Sequence, residues 1–111
     1  MTYSKATGSY VEYQGESFSL HFQKKDDKRW LSNEIVTCKL IDNTGSVLHE
    51  AQLDKSIDAL YMILFIGQSV TADLLGDYKL LTYVSDSIDP EVNYVIAEFK
   101  MKYKKAKARI E

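Results

Sequence analysis

The chain has 111 residues, a formal charge of −2, 45% apolar and 27% charged residues, and a single cysteine. Such a length suits one domain, so residues 1–111 are read as a single unit with a short basic tail at about 104–111, far in composition from intrinsically disordered chains. The near-neutral balance argues against a dedicated nucleic-acid binder, and a lone cysteine excludes both an intramolecular disulfide and a zinc site built on paired thiolates.

The opening residues, Met1 to Gly8, carry no apolar signal core, and the longest apolar run, residues 59–66, is far shorter than the ~20 residues a membrane helix needs. Synthesis and folding in the cytoplasm, with no membrane association, is the expectation.

Period 2 dominates the chain from its start. Gly8 to Tyr13 reads as a first strand. In the next, Phe18, Leu20 and Phe22 alternate with Ser19, His21 and Gln23, the pattern of a half-buried strand. Over Glu34 to Asp42, Val36, Cys38 and Leu40 form a wholly apolar set that should face the core. Asp42-Asn43-Thr44-Gly45 then supplies turn chemistry for a hairpin into Ser46 to Leu53. The continuously apolar run Ala59 to Ile66 predicts a central strand buried on both faces. A single helical turn near residues 69–75, capped by Ser69 or Thr71 and ended by Gly76, leads to a strand over Asp77 to Val84. Residues 85–91 read as a plain turn. In the last strand, Val92 to Tyr103, the predicted core face is Val95, Ala97, Phe99, Met101 and Tyr103, with Tyr94, Ile96, Lys100, Lys102 and Lys104 opposite. About seven short antiparallel strands separated by turns predict an all-β, Ig-like two-sheet sandwich, with a small barrel as the alternative.

No catalytic set emerges. His21 and His49 alternate with apolar residues in separate strands and are read as outward-facing, and no three or four ligands are spaced for a metal. Cys38 lies on an apolar face as a small buried hydrophobe. The carboxylates Asp26 and Asp27, and Asp86, Asp89 and Glu91, fall in turns without the alternation of a calcium loop. Gly-rich phosphate loops, GxSxG and HExxH are absent from the sequence. A non-enzymatic protein needing no cofactor or metal is the expectation.

Two features could carry interaction. The first is the basic C-terminal segment, with Lys100, Lys102, Lys104, Lys105, Lys107 and Arg109. Its lysines would discourage aggregation from the outer face of an edge strand, dock an acidic protein, or contact phosphates. The second is the aromatic content: Tyr10 and Tyr13 near the start, with Tyr3, and Trp30 in the long loop after the second strand. Exposed aromatics suit protein interfaces and sugar-stacking platforms.

Gly15-Glu16-Ser17-Phe18, an alternating strand, a polar loop through Asp26-Asp27 to Leu31, and the late run Thr71-Ala72-Asp73-Leu74-Leu75-Gly76-Asp77-Tyr78 resemble the small Ig-like β-sandwich domains of tailed-phage and prophage structural proteins. These belong to baseplate, tail and head-fibre components. The likeness spans roughly residues 10–99 and departs from the pattern at Glu16 and Ser17 and in having no glycine among Lys24 to Arg29. It implies a virion structural or adaptor protein, made in the host cytoplasm, acting through contacts with other virion proteins and as a homo-oligomer, with no catalytic residues. A carbohydrate-binding module using exposed Tyr and Trp30 is the alternative.

Overall fold

The computed structural model describes residues 2–4 and 9–106, with side chains from Ser9 onward. Among the described residues nine strands form two sheets: β1 (Thr2–Ser4), β2 (Ser9–Tyr13), β3 (Phe18–Gln23), β4 (Glu34–Asp42), β5 (Val47–Gln52), β6 (Asp54–Lys55), β7 (Tyr61–Ile66), β8 (Gly76–Asp86) and β9 (Asn93–Lys104). One sheet runs β1-β2-β9-β8-β4-β5 and the other β3-β7-β6. The all-β sandwich expected from the sequence is what forms. A short helix, α1 (Gln68–Thr71), crosses between the sheets, close to its predicted place.

The core is the layer between the sheets. Phe18, Met62, Leu64 and Ile66 of the small sheet pack with Val36, Cys38, Leu40, Leu80, Val84, Met101 and Tyr103 of the large one. Each such side chain contributes ~1.5–3 kcal/mol relative to exposure, so alternation in these strands is what selects the inner face. Within this layer burial pushes the Cys38 thiol up to about 11, which leaves it protonated and un-nucleophilic at neutral pH.

Turns hold the layers in register. Asp42 Oδ1 accepts from the Thr44 and Ser46 amides, both at 2.9 Å, and Gly45 takes φ 89° to close the β4–β5 hairpin. Where β8 begins, the Tyr78 hydroxyl donates to the Leu75 carbonyl at 3.0 Å and accepts from its amide at 2.9 Å, which fixes the corner before the strand.

Four expectations are corrected. Strand β7 is central only in a three-stranded sheet, and its outer face is uncovered: Phe65 is 64% exposed and Tyr61 is also exposed, so residues 59–66 are not buried on both faces. Ala59 and Leu60 precede the strand. In β9, Thr82 pairs with Ala97 but Tyr83 with Val95, so Ile96 is an extra residue. That bulge reverses the inward and outward phase before it. Val95, predicted for the core, is exposed, while Ile96 packs against the core. Not every pairing is antiparallel: β2 runs parallel to β9, with Tyr10 opposite Met101 and Tyr13 opposite Lys104. Finally, His49 lies opposite inward-facing Leu40 and is half-buried at the sheet edge, not outward.

Candidate functional site

Strand direction sends three connections to one end of the sandwich: residues 24–33 between β3 and β4, 56–60 between β6 and β7, and 87–92 between β8 and β9. Hydrogen bonds join them. The Trp30 amide donates to the Ala59 carbonyl at 2.8 Å, Asn33 Nδ2 to Asp86 Oδ2 at 2.7 Å, and the Ser87 amide to the Asn33 carbonyl at 2.9 Å. Lys55 Nζ adds a bond to the Leu31 carbonyl. Together these bonds make the three loops one surface.

Each loop carries an apolar residue at its exposed part. Leu31 is 57% exposed, Ile57 fully exposed and Ile88 81% exposed. Isolated exposed aliphatics are ordinary, but here one stands on the β3–β4 loop and one on each of the two loops bonded to it, which places all three at one end of the sandwich.

The turns are built by carboxylates that leave the isoleucines outward. Asp58 Oδ1 accepts from Ser56 Oγ at 2.7 Å and from the Leu60 amide at 3.2 Å. Asp86 Oδ1 accepts from the Ile88 amide at 2.8 Å and the Asp89 amide at 3.2 Å. Donors that favour the ionised form hold both carboxyls below the usual range: for Asp58 chiefly the Ser56 hydroxyl, for Asp86 chiefly the Ile88 amide.

Beside these tips lies a groove of about 680 Å³ between the β3–β4 loop and the start of β9. Phe22, Trp30, Tyr94 and Ile96 supply its apolar lining, and Lys24, Lys25 and Lys28 stand on its rim with Asp26. Lys24 is already engaged, paired with Glu34 at 2.5 Å and lying 5.0 Å from the Trp30 ring centre. Asp26 and Asp27 hold left-handed backbone at φ 62° and 53°, tolerated best by Asp and Asn among non-glycine residues.

The residues expected to interact are dispersed. Trp30 is the main correction: it is buried, 6% exposed, with its indole N–H directed to the Phe22 carbonyl. An amphipathic ring with one polar atom satisfied internally has been used to hold the loop. Tyr10 also turns inward, packing against the core with its ring edge-on to Phe99 at 5.5 Å. Tyr13 is half-buried on the other face of β2.

Lys100, Lys102 and Lys104 alternate along the outer face of β9, and Lys105 follows, exposed. This is no edge strand, because β9 lies between β2 and β8. Carboxylates are interleaved with the cations: Lys102 sits opposite Asp77, and Lys79, opposite Lys100, pairs with Glu98 at 3.0 Å. That mixed face is a poor phosphate track. Lys107 and Arg109 lie outside the described residues, as do the side chain of Tyr3 and residue Gly8.

Sequence reasoning points to the loop from Lys24 to Ser32, which carries Leu31, but missed Ile57 and Ile88, having read residues 85–91 as a plain turn. A signal was there: Ser56-Ile57-Asp58 and Ser87-Ile88-Asp89 repeat one tripeptide, an isoleucine inside polar turn chemistry. Among the described residues no cluster of three or more His, Cys, Asp or Glu could hold a metal, and no helix is long and apolar enough to cross a membrane.

No protein-family model matches the chain, and no curated protein sequence matches it at significance.

Proposed function

We propose that this chain is a non-catalytic, Ig-like sandwich module that works by protein–protein contact through its loop end, as a structural or adaptor component of a tailed-phage or prophage virion. The observation that carries the contact surface is the convergence of Leu31, Ile57 and Ile88 from three bonded loops. Loops positioned by a rigid sandwich are the usual place for recognition.

The Ig-like reading is supported by strand order. If β3 to β9 are lettered B, C, C′, D, E, F and G, the large sheet reads β1-β2-G-F-C-C′ and the small one B-E-D, and the Tyr78 bond to the Leu75 carbonyl is like that of a tyrosine corner at the start of F. The virion setting rests on the sequence resemblance alone. Burial of Trp30 weighs against the carbohydrate alternative, because the ring is not available for stacking. The interleaved charges of β9 weigh against nucleic acid.

A photocrosslinking residue placed at Ile57 or Ile88, with a control at Glu98 on the outer sheet face, tests the reading in lysate of the producing cells. Discrete protein adducts from the two loop positions, identified as structural components, are the expected result. Adducts from position 98 alone, or none from either loop, would sink it.

A further inference from the structure

Taking the loop end as the docking surface, we infer that its partner is a second copy of this chain, bound end to end about a two-fold axis, with Ile88 of each copy seated in the other's groove between the β3–β4 loop and the start of β9, against its exposed Tyr94 and Val95. Three observations lead there. The groove and the Ile88 turn lie side by side at the same end, so one rotation satisfies both at once, which is the requirement of an isologous contact.

Charge fits as well. The end of β8 and the turn after it carry Asp86, Asp89 and Glu91 with no cation, while the groove rim carries, beside Asp26, the lysines Lys25 and Lys28, neither of which has an ion-pair partner among the described residues. Two copies related this way place acid over base twice and avoid the like-charge contact of rim on rim. The outer face of the large sheet is a worse candidate for self-contact, since its charges are already interleaved within one copy, Lys79 paired with Glu98 and Lys102 opposite Asp77.

The third observation is apolar complementarity. The turn offers one aliphatic anchor, and the groove, about 680 Å³, is floored by aromatic and aliphatic side chains. The same approach covers Tyr94 and Val95, the exposed apolar residues that line the groove. A central anchor in an apolar pocket ringed by charges is the usual anatomy of an energetic centre.

Sedimentation velocity of the full chain from micromolar to near-millimolar concentration tests this, using wild type, Ile88→Asp, the rim variant Lys25→Glu/Lys28→Glu and the turn variant Asp89→Lys/Glu91→Lys. Circular dichroism checks that each is folded. The wild type should dimerise, Ile88→Asp should weaken the dimer at least tenfold, each charge variant should weaken it, and mixing rim and turn variants should restore a heterodimer. A wild-type dimer indifferent to Ile88→Asp overturns the proposal. So does a strictly monomeric wild type; if that monomer still gives Ile88-dependent crosslinks to another protein, the docking end stands and only the choice of partner fails, whereas loss of both removes the docking end too.

Discussion

The indole N–H of Trp30 donates to the main-chain carbonyl of Phe22 at 3.3 Å, tying the middle of the β3–β4 loop to the end of the strand it leaves. Trp30 therefore acts as the post that shapes this loop. Replacing it by Ala should cost ~3–5 kcal/mol from lost burial and the void left behind. Trp30→Phe keeps most of the bulk and should cost ~1–2 kcal/mol, chiefly by stranding the carbonyl. Urea denaturation measures both. Equal, small losses would show that the ring is not packed as described.

Ala59 lies in left-handed backbone at φ 59°, with its carbonyl accepting from the Trp30 amide and its own amide donating to Ser56. A Cβ in that conformation costs ~1–2 kcal/mol, and glycine removes the clash at the expense of ~0.5–1 kcal/mol of extra unfolded-state freedom. Ala59→Gly should stabilise by about half to one kcal/mol, seen as a raised Tm. A lowered Tm would contradict the assigned backbone.

The Tyr103 hydroxyl is buried without a hydrogen-bond partner among the described residues, and desolvation raises its pKa. An unsatisfied buried hydroxyl costs ~1–3 kcal/mol, so Tyr103→Phe should leave stability unchanged or raise it by about 1 kcal/mol. The ring, edge-on to Tyr78 at 5.8 Å, stays in place. A loss of more than ~1 kcal/mol would mean that the hydroxyl has a partner.

Acid should loosen the turns. Asp42, Asp58 and Asp86 all have carboxyls held below the ordinary value of 3.8 by hydroxyl and amide donors, so their folded-state pKa lies under the unfolded one. Their stabilisation is complete above the unfolded value and is lost as pH falls through the depressed ones. Thermal melts should show Tm falling below about pH 4, and Asp86→Asn should flatten that fall. Glu12 works the other way: burial raises its pKa, so it weighs against the fold at neutral pH and is relieved on acidification. Glu12→Gln should raise Tm at pH 7 more than at pH 3.

Much of the fold is legible because one-sided burial writes period 2 into the sequence. Val36, Cys38 and Leu40, and Met101 with Tyr103, face the core where alternation puts them. What alternation cannot carry is a change of phase. Ile96 is one residue too many against β8, and nothing local distinguishes it from its neighbours, so Val95 and Ile96 are assigned to the wrong faces. Nor does a uniformly apolar strand say what covers it: Tyr61 and Phe65 look like core residues and are left outside. The parallel pairing of β2 with β9 joins segments about 90 residues apart, beyond any local pattern. The site was the least visible part. Loop aromatics draw attention in a sequence, yet Trp30 and Tyr10 are recruited to packing, while Leu31, Ile57 and Ile88 are the side chains left exposed, unremarkable until the loops are brought together.

Hydrogen exchange compared between the isolated chain and its assembled state tests the central claim most directly, since it maps contact along the backbone without altering a side chain. Amides of residues 24–33, 56–60 and 86–92 should gain protection together on assembly. Protection confined to the outer face of β9 and β8, with these three loops unchanged, would contradict the assignment of the loop end as the working surface.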